Sequence, residues 1–237
     1  MIDLHLLLLI ALIGGALHLD RTYAFQFLVS RPLIVSSIVG VALGSPLIGL
    51  AVGVSLEFLW LGIQPLGTVI PPNDTLVATI APAGIILAAN NMSINGMPQV
   101  LSLSALALLL SLPFSEIGKL VDIWLRKKNT RIMRKACEKA EEGNTRAVER
   151  LHLVPMLNYL ISFIVLTGLG VFFVARASIF AFPLLSDTVL AGLSVIFWSL
   201  PFFGISAVLS SFRNFMGFGF SFLASYILFL LIIRGAL

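Results

Sequence analysis

The sequence predicts an all-α, polytopic membrane protein with broken or re-entrant helices, and three observations carry that reading. First, 59% of the 237 residues are hydrophobic and 11% charged, with a mean hydropathy of +1.05, too apolar for an ordinary soluble domain. Second, nine of the fifteen Lys and Arg lie between Arg126 and Arg150, with four of the eleven acids. A single basic stretch of this kind is the positive-inside signal of a cytoplasmic connector. It is not a nucleic-acid footprint, because no basic domain with interleaved aromatics stands apart from the spans. Third, Gly and Pro interrupt the apolar runs at Gly44, Ser45 and Pro46 and again at Gly192, Pro201 and Gly204, as where non-helical backbone lines a cavity at membrane depth. The chain divides into a membrane half, 1–125, a basic helical connector, 126–152, and a second membrane half, 153–237.

Met1 to Leu19 reads as a retained first span, since Asp3 and His5 stand where a secretory signal has basic residues and no cleavage site precedes Asp20. Asp20 to Pro32 is a short polar loop with Tyr23, Phe25 and Phe27 as interfacial anchors. Leu33 to Gly53 carries Gly40, Gly44, Pro46, Gly49 and Gly53. The spacing of Gly40 with Gly44, and of Gly49 with Gly53, lets helix backbones approach closely, and the break between them favours a broken helix or hairpin.

Leu47 to Ile63 would form a helix of roughly 25 Å with Glu57 far from either end. An ionisable side chain so placed faces a bundle interior or a water-filled cavity and marks a pathway or binding site. On that helix Gly53, Glu57, Trp60 and Gln64 share one face, combining a gap, an acid, an aromatic and an amide. Trp60 suits headgroup anchoring as well.

Gln64 to Thr75, with Pro65, Gly67, Pro71 and Pro72, continues neither as helix nor as central strand. Asp74 or Thr75, beside Asn73, caps the apolar run from Leu76 to Ala89, and the polar residues not spent on capping are rigid donors and acceptors for a ligand. Asn90 to Pro98 is a turn cluster and Gln99 to Leu125 a span, in which Glu116, Lys119 and Asp122 pair at i, i+3 without assigned chemistry. In the connector, Asn129 or Thr130 caps a helix from Arg131 to Glu142, Gly143 ends it, and Asn144 or Thr145 starts the next. Leu153 to Ala175 spans, Arg176 to Asp187 loops, and Thr188 to Ser211 is a second interrupted span, hinting at an internal repeat. Arg213 and Asn214 precede a last apolar run from Gly217 to Ile233.

The sequence holds no Walker loop, no GxSxG, no paired cysteines and no clustered metal ligands. Cys137 stands alone, and His5, His18 and His152 are scattered, so each is read as structural. No catalytic residue, cofactor or metal is expected. The work left to the chain is binding and moving something.

Taken in order, Arg31, Pro32 and Leu33, the Gly-rich pair of segments, Leu56 with Glu57, Leu61 with Gly62, Gly67, and Pro71 with Pro72 resemble the membrane IIC component of the mannose, fructose and sorbose family of bacterial sugar phosphotransferase systems. Phe25, Gln26 and Phe27, and later Gly143 and Asn144 with His152, look like that family too. The resemblance implies a permease subunit in the bacterial cytoplasmic membrane, paired with a IID membrane protein and served by cytoplasmic IIA and IIB phosphocarriers. It further implies an elevator-type transporter built as a trimer of IIC/IID heterodimers; because the sequence ends soon after its last apolar run, no appended IIA or IIB domain is expected. It places sugar contacts at Gln26, Arg31, Glu57, Asn73 and Asp74. Trp60 and Gln64 join them from the shared helix face, since sugar hydroxyls need carboxylates and amides while one pyranose face lies on an aromatic. One departure is that many members have an aspartate directly after the second proline, where this chain has Asn73 and then Asp74. Two other readings compete: a secondary transporter whose coupling proton is carried by Glu57 or Asp74, and a structural membrane subunit whose acid is paired with an arginine.

Overall fold

A computed structural model describes residues 3–24, 26–62 and 70–210, with 219, 220, 223, 224, 226, 227 and 231, and leaves the side chains of 207–210 undescribed. Phe25, Gln64, Gly67, Arg213 and Asn214 therefore lie outside the described residues, as does most of the last apolar run. The described chain is helical: α1 (Leu4–Thr22), α2 (Pro32–Ala42), α3 (Pro46–Trp60), α4 (Asp74–Met92), α5 (Met97–Ser111), α6 (Pro113–Glu141), α7 (Thr145–Ala181), a 3-10 turn (Phe182–Leu184) and α8 (Asp187–Ser210). Among the described residues, five stretches are long and apolar enough to cross a membrane: α1, α4, α5 with α6, α7 with its 3-10 turn, and α8.

The bundle is organised around α4, in which every residue from Thr75 to Ala89 is buried. Pro82 sits inside this helix and has no N–H to give, so the Ala78 carbonyl one turn earlier loses its helical partner. The Ser36 hydroxyl of α2 donates to that carbonyl at 2.8 Å. A defect in the central helix thus becomes an anchor for its neighbour. On the other side α1 and α7 run along α4, close enough that a Cβ on Gly14 would lie 2.8 Å from both Thr79 and Thr167.

α2 and α3 form a hairpin. Proline opens each helix, and Gly44, at φ +72°, turns the chain between them. With 11 and 15 residues, the helices rise roughly 16 and 22 Å, short of the ~30 Å hydrocarbon core, so neither is long enough to cross it. The two helices nearly touch, and a Cβ on Gly49 would stand 2.4 Å from the Ser36 carbonyl oxygen. The expected hairpin is present, but the helix holding Glu57 stops at Trp60, which puts the acid in its last turn rather than far from both ends.

Other expectations are corrected. The span after Pro98 divides at Leu112 into α5 and α6, and α6 then runs unbroken to Glu141 with no cap at Asn129 or Thr130. Gly143, at φ +72°, and Asn144, whose side chain accepts from Ala147 N–H at 3.1 Å, end one helix and start the next as expected. The connector is thus the paired extensions of α6 and α7. The stretch from Arg176 is helical to Ala181 rather than a loop, and α8 continues straight through Pro201 instead of breaking. Exposed Leu8, Leu12, Ile161, Leu169, Phe172 and Phe180 give the bundle an apolar outer surface.

Candidate functional site

The charged residues inside the bundle gather at its connector end, where α1 and α3 finish and α2 and α4 begin. Arg21, in the last turn of α1, pairs with Asp74, the first residue of α4. Each charge suits its helix terminus, a cation at a C-terminal end and an anion at an N-terminal one. Arg21 also donates to Thr75 Oγ1 at 3.2 Å and to the Pro72 carbonyl at 3.0 Å. The double proline thus presents a carbonyl to a partly buried guanidinium.

A second pair closes the open end of the hairpin. Arg31, at the start of α2, donates through Nε to Glu57 Oε1 at 2.9 Å and also reaches it through Nη2, while Leu33 N–H donates to Oε2 at 3.2 Å. The carboxylate therefore caps α2 from the neighbouring helix, and its side chain is 20% exposed. Trp60, one turn on, lines the cleft between the pairs.

Asn73 is fully buried and is the N-cap of α4, its Oδ1 accepting from Leu76 N–H at 2.9 Å. The same oxygen lies 3.2 Å from His18 Nε2, and the amide nitrogen donates to Asp122 Oδ2 at 3.4 Å. His18 donates through Nδ1 to the Gly14 carbonyl at 2.7 Å and stacks on Phe163 with ring centroids 4.3 Å apart. Asp20 folds the following loop by accepting from Phe27 N–H at 2.7 Å and Ser30 N–H at 3.0 Å. Gln26, on that loop at φ 54°, is exposed and donates to the Thr22 carbonyl at 3.4 Å.

Two cavities open here. One of about 300 Å³ is lined by Arg21, Arg31, Trp60, Pro71, Asp74 and Asp122, among others. The other, of about 290 Å³, is lined by Arg21, Thr22, Tyr23, Gln26, Asp122, Arg126 and Tyr159. Arg21, Thr22, Asp122 and Arg126 line both. Beside them the Tyr23 hydroxyl accepts from Asn129 Nδ2 at 2.7 Å. Burial pushes this phenol above its ordinary pKa, so it stays a neutral hydrogen-bonding group.

Residues 1–234 match the model of a family described as the sorbose-specific IIC component of the phosphotransferase system. The chain belongs to this IIC family. The mannose-specific EIIC component of Escherichia coli strain K12 is 28% identical to this IIC chain over 129 residues, 54% of the chain and 43% of that protein. The sorbose-specific EIIC component of Lacticaseibacillus casei is 27% identical over 132 residues, 56% and 43%. The fructose permease IIC component of Bacillus subtilis strain 168 is 26% identical over 152 residues, 64% and 50%. The IIC chain thus spans half or less of these relatives' lengths. Its fold is that of a solved membrane protein (TM-score 0.68, 19% identity, 94% of this chain and 85% of the other). It is also that of a chain in the cryo-EM structure of the mannose transporter ManYZ with microcin E492 (TM-score 0.56, 20% identity, 98% and 91%).

Of the residues singled out from sequence, the fold brings Gln26, Arg31, Glu57, Trp60, Asn73 and Asp74 to one end of the IIC chain. It commits Arg31 and Glu57 to each other, Asp74 to Arg21, and Asn73 to capping. Sequence reasoning missed Arg21, Thr22, Arg126, Tyr159 and above all Asp122. Lys119 pairs with Glu116 at 3.3 Å, whereas Asp122 is 3% exposed and faces the cleft. An acid in an apolar run was the available signal, the same one that drew attention to Glu57.

Proposed function

We propose that this IIC chain binds a hexose-type sugar in the cleft at the open end of the re-entrant hairpin and moves it inward across the bacterial cytoplasmic membrane for phosphorylation by a IIB partner. The observation that carries the reading is the cleft itself, in which guanidinium groups, carboxylates and an indole face one space within an otherwise apolar bundle. Carboxylates accept from sugar hydroxyls, guanidinium groups donate to them, and Trp60 offers a face to the apolar side of a ring. Relatives named for mannose, sorbose and fructose support the substrate class. On this reading the Arg126–Arg150 connector faces the cytoplasm, where IIA and IIB act. A IID protein covers part of the apolar outer surface, and three IIC/IID pairs assemble into an elevator.

The test is uptake by membrane vesicles carrying this chain and its IID partner, with and without phosphorylated IIB. Phosphorylated sugar inside only when IIB is present is the expected result. Uptake of unmodified sugar that follows a proton gradient without IIB would replace group translocation by secondary transport. The Arg31–Glu57 pair favours one further reading, a structural role for that acid. Glu57→Gln then disturbs assembly of the complex while sparing transport by the complexes that do form.

A further inference from the structure

The groups with unspent hydrogen-bonding capacity at this site are not the ones that hold each other in pairs. Tyr159 is 1% exposed, yet its hydroxyl makes no well-formed hydrogen bond although Thr22 and Asp122 stand beside it, and the buried Thr22 hydroxyl makes none either. Both residues line the cavity of about 290 Å³ that Asp122 and Arg126 also line. The Asp122 carboxylate receives a long 3.4 Å bond from Asn73 and otherwise stands beside the Tyr159 hydroxyl. Arg126 makes no ion pair among the described residues. Inside a membrane bundle an unpaired hydroxyl is costly, and two facing one cavity beside an under-used carboxylate mark a place built for an outside partner.

From this we infer that Asp122, Tyr159 and Thr22 form the polyol-recognition subsite of the cleft, the carboxylate accepting from sugar hydroxyls and the two side-chain hydroxyls each donating to or accepting from one. The inference rests on the sugar-translocation reading and assigns that site's specificity to α1, α6 and α7. The Arg31–Glu57 and Arg21–Asp74 pairs then frame the cleft instead of contacting the sugar. A polyol fits the set better than an anion does, because Asp122 would repel an anion at the spot where it welcomes a hydroxyl. The Tyr159 ring is held from two sides, 4.5 Å from Tyr23 and 4.5 Å from Phe163, so its hydroxyl is presented in a fixed direction.

The experiment measures binding of radiolabelled mannose, fructose and sorbose to the full chain reconstituted with its IID partner, alongside thermal stability without sugar. The variants are Tyr159→Phe, Asp122→Asn and, as a control, Ser178→Ala, which removes another partnerless buried hydroxyl of α7 away from the cavity. Tyr159→Phe is expected to weaken binding of the accepted sugar roughly tenfold, and Asp122→Asn on the order of a hundredfold, as for loss of one neutral and one charged hydrogen bond. Because the Tyr159 hydroxyl makes no well-formed hydrogen bond in the empty protein, Tyr159→Phe leaves the sugar-free melting temperature unchanged or raises it, and Ser178→Ala leaves binding unchanged. Wild-type affinity in both cavity variants would overturn the subsite, as would a lower sugar-free melting temperature for Tyr159→Phe with unaltered binding, the mark of a purely structural contact with Asp122, Thr22 or an internal water. Either result leaves the transport reading standing. That reading fails separately if the wild-type complex binds none of the three sugars and forms no sugar phosphate with IIB.

Discussion

The Ser36 hydroxyl and the Ala78 carbonyl, 2.8 Å apart, repair across two helices the gap that Pro82 opens in the central one. Ser36→Ala should destabilise the protein by about 1–2 kcal/mol, the range of an interhelical hydrogen bond in a membrane protein. Pro82→Ala returns a helical N–H to Ala78, so the cost of Ser36→Ala should shrink in that background. Thermal melts of the two single variants and the double variant in detergent measure the coupling. Strict additivity would mean that the hydroxyl is not substituting for the missing amide.

The Arg21–Asp74 pair has side chains 16% and 19% exposed, so removing one partner strands a poorly solvated charge. Asp74→Ala is expected to cost about 2–4 kcal/mol. The double variant Arg21→Ala, Asp74→Ala should cost clearly less than the sum of the singles, read as melting temperature in detergent.

Asn73 closes the first turn of α4 and contacts His18 and Asp122 at the same time. Asn73→Ala should lose about 1–2 kcal/mol for the cap alone. Asn73→Asp keeps a capping oxygen but sets a second carboxylate against Asp122, so it should cap and yet transport poorly. Sugar uptake and stability measured on both variants separate these two effects.

Arg31 and Glu57 are partly solvated, with Arg31 45% exposed, and their pairing contributes at most about 1 kcal/mol. Their larger role is geometric, holding the open end of the hairpin together. Glu57→Ala should lower uptake with little change in melting temperature, and exchanging the charges in Arg31→Glu, Glu57→Arg should recover part of it. Failure of the exchange would point to the capping bond from Leu33 N–H, which an arginine cannot accept, as the essential contact.

Close packing sets a further limit. Gly49→Ala would drive a methyl group to 2.4 Å from the Ser36 carbonyl oxygen, which is backbone and cannot rotate away. The hairpin should splay, with a loss of about 1–3 kcal/mol visible as a lower melting temperature.

Much of the architecture was legible because its causes are local. Pro32, Gly44 and Pro46 encode the hairpin, and Gly143 with Asn144 encode the turn of the connector. What was not legible depends on partners distant in sequence. The end of α3 at Trp60 sets Glu57 beside Arg31, 26 residues earlier in the chain. Asp122 has Lys119 three residues away, a sufficient local partner on paper, and only the rotation of α6 against α4 and α7 turns it inward. In the sequence Pro201 suggests a break, but a helix runs on through a proline when its neighbours hold it, and α8 packs so tightly there that a Cβ on Gly204 would lie 2.2 Å from the Phe58 carbonyl oxygen.

Pro155 lies inside α7, between the charged extension and Tyr159. It leaves the Leu151 carbonyl without a helical donor, a missing rung in a helix 37 residues long. A cavity of about 470 Å³, lined by Leu151, His152 and Pro155 among others, adjoins the same turn and leaves room beside it. The weakest rung of the rod therefore stands one helical turn from the tyrosine in the wall of the cleft, between that wall and the basic tip.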